Sequence, residues 1–186
     1  MLSEEEVTMT YEEIEKLAEE SGFSHTAPLD VSTITLRPEV RAACEQNTCH
    51  MYDACWSCPP ACGTLEECGA KLKKYSKGII LQSSIQLEDS FDFEGIQELG
   101  ERHSKALEIF TDEIRKTYPN ALVLGAGGCK RCKTCTYPDA PCRFPDKQLS
   151  SMEGYGMVVN EVCTKNNIPY NYGKDTMTYV GCALIE

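Results

Sequence analysis

Ten cysteines stand in two tight bursts: Cys44, Cys49, Cys55, Cys58, Cys62 and Cys68, then Cys129, Cys132, Cys135 and Cys142. Cysteines a few residues apart can present several thiolates to one point in space. The chemistry this supports is the holding of a metal ion or an iron–sulfur cluster. Isolated core cysteines scatter instead, as Cys163 and Cys182 do, and those two read as packing residues.

The run Cys129-x2-Cys132-x2-Cys135-x6-Cys142 is the most specific signal. Three cysteines at this spacing let a short loop wrap a cubane and reach three of its irons. The longer gap before Cys142 lets that residue close the same cluster, and Pro145 follows shortly after. Gly125-Ala126-Gly127-Gly128 precedes the run, so amides free of bulky side chains can approach the sulfides. The alternative occupant is zinc. Zinc sites usually join two separated Cys-x2-Cys arms into a tetrahedron, and a continuous run suits that less well. Disulfides are poor candidates at this spacing.

The first burst offers six cysteines for one site. Cys55-x2-Cys58-x3-Cys62 reverses the spacing of the radical-SAM triad, and the chain is too short for that family's barrel. Pro59 and Pro60 stiffen the loop after Cys58 and remove two amides. Cys68 falls on the apolar face of a helix that the capping box Thr64–Glu67 starts, so it is either a ligand or a buried structural thiol. His50 reads as surface, and Trp56 and Tyr52 as a shield against water.

Three capping boxes punctuate the chain, at Thr10–Glu13, Thr64–Glu67 and Ser150–Glu153. The first opens a helix with Tyr11, Ile14, Leu17 and Ala18 on one face, closed by Gly22; the third is expected to open one lined by Met152, Tyr155, Val159, Val162 and Cys163. A long helix is expected from Phe93 to Tyr118, buried along Ile96, Leu99, His103, Ala106, Leu107, Phe110 and Ile114. Strands are expected at Val31–Leu36 (ended by Pro38), Ile79–Leu87, Ala121–Leu124 and Thr176–Ile185, the last apolar on both sides and so interior. Helices alternating with strands make the class α/β: a small sheet with flanking helices and two cysteine-rich cluster-binding loops. Residues 31–87 and 121–185 each run strand, cysteine loop, capped helix, strand, a pattern that admits an internal duplication. The expected layout is an N-terminal acidic helix over 1–24 and a single metal-binding domain over 25–186, with cluster lobes at 44–68 and 129–142.

The net charge of −11 argues against nucleic acid and anionic membranes as partners, and no apolar run is long enough to span a bilayer. The start, Met1 to Glu6, is acidic and has no apolar signal core, which points to the cytoplasm. Disulfides are rare there, so twelve cysteines favour metal. Positive charge gathers beside the bursts, in Lys71, Lys73, Lys74 and Lys77 and in Lys130, Arg131, Lys133, Arg143 and Lys147. It either offsets thiolate charge or forms a docking patch for an acidic redox protein partner.

Asn47-Thr48-Cys49, Trp56-Ser57-Cys58-Pro59-Pro60, Gly125–Cys129, Cys142-Arg143-Phe144-Pro145 and Ser151–Gly156 together resemble a family of predicted metal-binding proteins of anaerobic bacteria and archaea, over roughly residues 25–185. The resemblance implies cysteine-bound metal, an anaerobic setting and no established substrate. It also tips the first ligand set toward Cys44, Cys49, Cys58 and Cys68, with Cys62 as the alternative to Cys68 for the fourth place, beside the second set that spacing gives, Cys129, Cys132, Cys135 and Cys142.

The expectation is therefore an iron–sulfur protein with two [4Fe–4S] clusters that transfers single electrons. No phosphate loop, serine–histidine–acid set or dinucleotide turn is present in the sequence. One alternative is an enzyme whose cluster has an open iron acting as a Lewis acid or in reduction, with Glu153, Arg143 and Tyr155 as candidate substrate contacts. The other is a zinc-binding interaction module.

Overall fold

The chain's computed structural model describes residues 8–186. Five strands form one sheet: β1 (His25–Asp30), β2 (Lys77–Gln86), β3 (Leu122–Gly125), β4 (Ser150–Ser151) and β5 (Thr176–Ile185). Their order is β1-β2-β5-β3-β4, and every pairing is antiparallel except β3 with β4. Five helices flank it: α1 (Tyr11–Ser21), α2 (Pro38–Glu45), α3 (Leu65–Leu72), α4 (Phe93–Thr117) and α5 (Val159–Lys165). The class is the mixed α/β expected. The expected acidic helix over 1–24 begins at Tyr11, and its first seven residues lie outside the described part.

β5 shows why the two faces differ. Its side chains alternate, so Val180, Cys182 and Leu184 enter one core and Ala183 and Ile185 the other. α1 and α4 cover the second core with Ile14, Ala18, Phe110 and Ile114. The first core is closed by α3, α5 and the loop carrying Met152, Tyr155 and Met157. Cys68, Cys163 and Cys182 belong to that first core and are fully buried. His103 of α4 is buried too, with Nδ1 2.9 Å from Ser83 Oγ.

Two capping boxes behave as expected. Thr10 and Glu13 exchange reciprocal bonds at α1, as Thr64 and Glu67 do at α3. The third does not open a helix. Ser151 Oγ accepts from the Gly154 amide at 2.8 Å, but the turn stops after Glu153–Tyr155 because Gly156 turns left-handed at φ +85°. Ser150 and Ser151 pair with β3 instead, and α5 starts only at Val159.

The strand expected over Val31–Leu36 is also corrected. Asp30 Oδ1 accepts from the Ser32 amide at 2.9 Å and its hydroxyl at 2.7 Å, which curls Val31–Thr33 into a 3-10 turn. The strand lies before it, at His25–Asp30, with Ala27 and Leu29 inward. Pro38 starts α2 at its first turn rather than merely ending a strand, where its missing N–H costs nothing.

Candidate metal centre

The two bursts, some sixty residues apart in sequence, are neighbours in space. The loop before α3 carries Cys55, Cys58 and Cys62, each nearly buried, and the loop after β3 packs against it. Ser57 Oγ lies 3.2 Å from Cys55 Sγ and accepts from the Cys129 amide at 2.9 Å. Gly128 brings bare backbone to the same place: a Cβ there would lie 3.3 Å from Cys58 Sγ and 3.4 Å from Cys55 Sγ. Trp56 Nε1 donates to the Ala140 carbonyl at 3.0 Å, and Gln148 Nε2 donates to the Trp56 carbonyl at 2.7 Å. Tyr137 Oη bonds to Asp53, and its ring meets Trp56 edge-on at 4.9 Å.

Cys129, Cys132, Cys135 and Cys142 line one cleft, which Cys55 also lines. The six-residue insert is a closed loop in which Thr136 Oγ1 donates to the Pro141 carbonyl at 2.8 Å. Arg143 ties across to the Thr134 carbonyl at 2.7 Å. Arg131 reaches back to α4, where its guanidinium grips both Asp112 oxygens at 2.8 and 3.2 Å. It thus anchors the loop, and Lys147 shares Asp112 at 3.3 Å. Burial pushes the Cys129 thiol up, while the amides of Arg131 and Leu149 favour its thiolate.

The first burst is sorted differently. Cys55 and Cys58 both border Gly128, and Cys62 and Cys68 both face Arg41. The Cys58 thiol holds Cys55 below the ordinary thiol range, against the opposing effect of burial. Cys62 does the same for Cys68, with Arg41 and Lys71 adding positive charge. The donor partners, Cys58 and Cys62, are pushed up by that bonding and by burial. The Cys62 thiol also acts on Cys58, and all four thiols are buried.

Cys44 and Cys49 are less enclosed than those four thiols. Cys44, half-buried on the last turn of α2, approaches the Glu153 carbonyl at 4.0 Å, and burial raises its thiol. Cys49 is exposed on a turn built by Asn47 and His50, both left-handed at φ 53° and 59°. Among the expected set of Cys44, Cys49, Cys58 and Cys68, the structure buries the last two and leaves the first two at the edge. Glu153 is not a helix cap; burial raises its carboxyl.

Sequence reasoning missed three side chains. Arg41 NH1 donates to the Gly154 carbonyl at 2.9 Å and NH2 to the Gly63 carbonyl at 2.8 Å. The same NH1 faces Cys62 Sγ and Cys68 Sγ, each at 3.9 Å. Ser57 and Gln148 link the loops as described. All three act over long sequence separations, and only Ser57, inside a quoted motif, carried a local signal.

Among the described residues, no three His, Cys, Asp or Glu side chains are gathered closely enough for a single metal ion. A zinc ion needs its sulfurs about 2.3 Å from one centre. A cubane offers four separate irons, so its thiolates stand further apart. The four thiols that line the cleft are the donor type an iron–sulfur cluster takes, and the amides of Arg131 and Leu149 favour the thiolate form of Cys129 against burial.

Thiols gathered this way on a mixed sheet are the makings of a cysteine-rich metal-binding protein. The chain belongs to the predicted metal-binding protein family DUF2284, whose family model matches residues 27–185. No curated protein and no solved structure matches it. No helix among the described residues is long and apolar enough to cross a membrane.

Proposed function

We propose that the protein holds two [4Fe–4S] clusters and passes single electrons in the cytoplasm of an anaerobic cell. The observation that carries this is the adjacency of two thiol groups: the cleft of Cys129, Cys132, Cys135 and Cys142, and the buried sulfurs of Cys55 and Cys58 behind Gly128. Neighbouring clusters suit relay of electrons, and the all-thiol donor set suits iron–sulfur binding. When bound, the clusters supply the one-electron chemistry. The chain's own residues orient the loops, exclude water and supply compensating charge. Trp56 shields, Arg41 compensates, and Arg131 anchors.

The second cluster takes Cys129, Cys132, Cys135 and Cys142. The first takes Cys58 and Cys68. Resemblance favours Cys44 and Cys49 as their companions, whereas packing favours Cys55 and Cys62. Single alanine variants of these four, read by the EPR signal of the first cluster, decide the pair. The partner would be an acidic redox protein, met by Lys130 and Lys133, which are exposed and free of ion pairs to described residues.

The deciding experiment is the iron and acid-labile sulfide content of anaerobically purified protein, with its EPR spectrum after reduction. About eight irons and eight sulfides per chain are expected. One tightly bound zinc without labile sulfide would replace this reading with the zinc-binding interaction module. A second reading, an enzyme, is favoured by one observation: a cleft of about 600 Å³ runs between Cys62 and Cys142.

A further inference from the structure

That cleft has a composition of its own. Trp56, Leu122, Val123, Pro138 and Pro141 give it apolar and aromatic walls. Lys71 and Arg115 also line it, and Asp139 is the carboxylate among its lining residues. The protein carries 29 acidic and 18 basic residues, yet these two cations form no ion pair with a described residue. By contrast, Arg131, Lys147, Arg37 and Lys165 all do.

Arg115 is half-buried and gives its Nε to the Ala121 carbonyl at 3.2 Å and its NH1 to the Asp146 carbonyl. Both partners are neutral carbonyls; Asp112 and Asp146 act on it only from beyond ion-pair distance, and burial lowers its pKa. Lys71 Nζ reaches only the Cys62 carbonyl, at 3.4 Å, and stands 6.0 Å from the centre of the Tyr155 ring. A partly desolvated guanidinium whose hydrogen bonds go only to neutral carbonyls is stabilised when an anion joins it. A guanidinium and an ammonium lining one cleft can both serve a carboxylate, and flat apolar walls take a flat body.

We propose that this cleft binds a small organic acid, with its carboxylate on Lys71 and Arg115 and its apolar body against Trp56 and the proline walls. The proposal deepens the enzyme reading, on which its role as a substrate site rests, since Cys62 and Cys142 place the ligand between the two thiol groups. Binding itself does not require the clusters to be iron–sulfur.

The test is a ligand-observed NMR titration of benzoate against the anaerobically purified full chain, with iron measured on the same sample. Benzamide and inorganic phosphate serve as comparison probes. Saturable benzoate binding is expected, at least tenfold tighter than benzamide or phosphate. Lys71→Gln and Arg115→Gln should each weaken it about tenfold. If Arg115→Gln loses its metal or its fold, Lys71→Gln decides alone. Equal binding of benzamide would overturn the carboxylate assignment, and equal binding of phosphate would overturn the organic body. No saturable binding, or binding indifferent to both variants, would overturn the site. Iron and acid-labile sulfide measured on the same sample report the clusters separately: benzoate binding by protein that lacks both keeps this site and removes the iron–sulfur reading.

Discussion

Ser57 Oγ accepts the Cys129 amide at 2.9 Å, a bond spanning 72 residues of chain. One hydroxyl thereby touches both cysteine groups, since it also lies 3.2 Å from Cys55 Sγ. A Ser57→Ala variant removes the acceptor at a nearly fully buried position and leaves the amide unpaired. A stability loss of about 1–3 kcal/mol is expected in denaturant unfolding. A loss under half a kcal/mol would mean that the bond does not join the loops.

Cys132→Ser removes the middle thiolate of the second group. Iron is expected to fall from about eight to about four per chain, with the first cluster's EPR signal retained. Loss of both signals together would show that the contacts through Ser57, Trp56 and Gln148 make the two groups one folding unit.

Arg41→Gln withdraws the cation that faces Cys62 and Cys68 and releases the carbonyls of Gly63 and Gly154. The expected result is destabilisation of about 1.5–3 kcal/mol and a more negative potential for the first cluster alone, read in a redox titration. Arg41→Lys should rescue the potential better than the stability, because an ammonium cannot span both carbonyls as the fork does. An unchanged first potential in Arg41→Gln would remove this residue from the electrostatics of the site.

His103 gives a pH prediction. Burial, with a smaller effect of Lys130, lowers its pKa from 6.5 to about 4. The unfolded chain therefore binds the extra proton first, and stability falls as pH drops from about 6.5 to about 4, then levels. The contribution is about 3 kcal/mol. An NMR titration should find this imidazole still neutral at pH 5, and a His103→Leu variant should show a shallower loss over the same interval. Protonation near pH 6.5 in the folded protein would refute it.

How much was legible in the sequence depended on range. Thr10–Glu13 and Thr64–Glu67 mark helices correctly because a capping box is completed within four residues. Ser150–Glu153 misleads because Gly156, three residues further on, ends the turn before a helix can propagate. β1 was hidden by Pro28, tolerated here because β1 is an edge strand. The second thiol group was readable from spacing, since one short loop carries it. The sorting of the first group was not, because Gly128, which borders Cys55 and Cys58, comes from the other cysteine loop, and Arg41 reaches Cys62 and Cys68 only in the folded chain.

The position of β5 between β2 and β3 has a consequence for synthesis. Both cysteine groups leave the ribosome before the strand that fastens their supports together. Until residues 176–185 emerge, β1 and β2 can pair as a hairpin-like ribbon, but β3 and β4 have no place beside them. The thiols are thus all present while the frame is still open, and the last strand acts as the clasp. A chain halted just before Thr176 would own every residue of the two bursts and lack the sheet that sets them side by side.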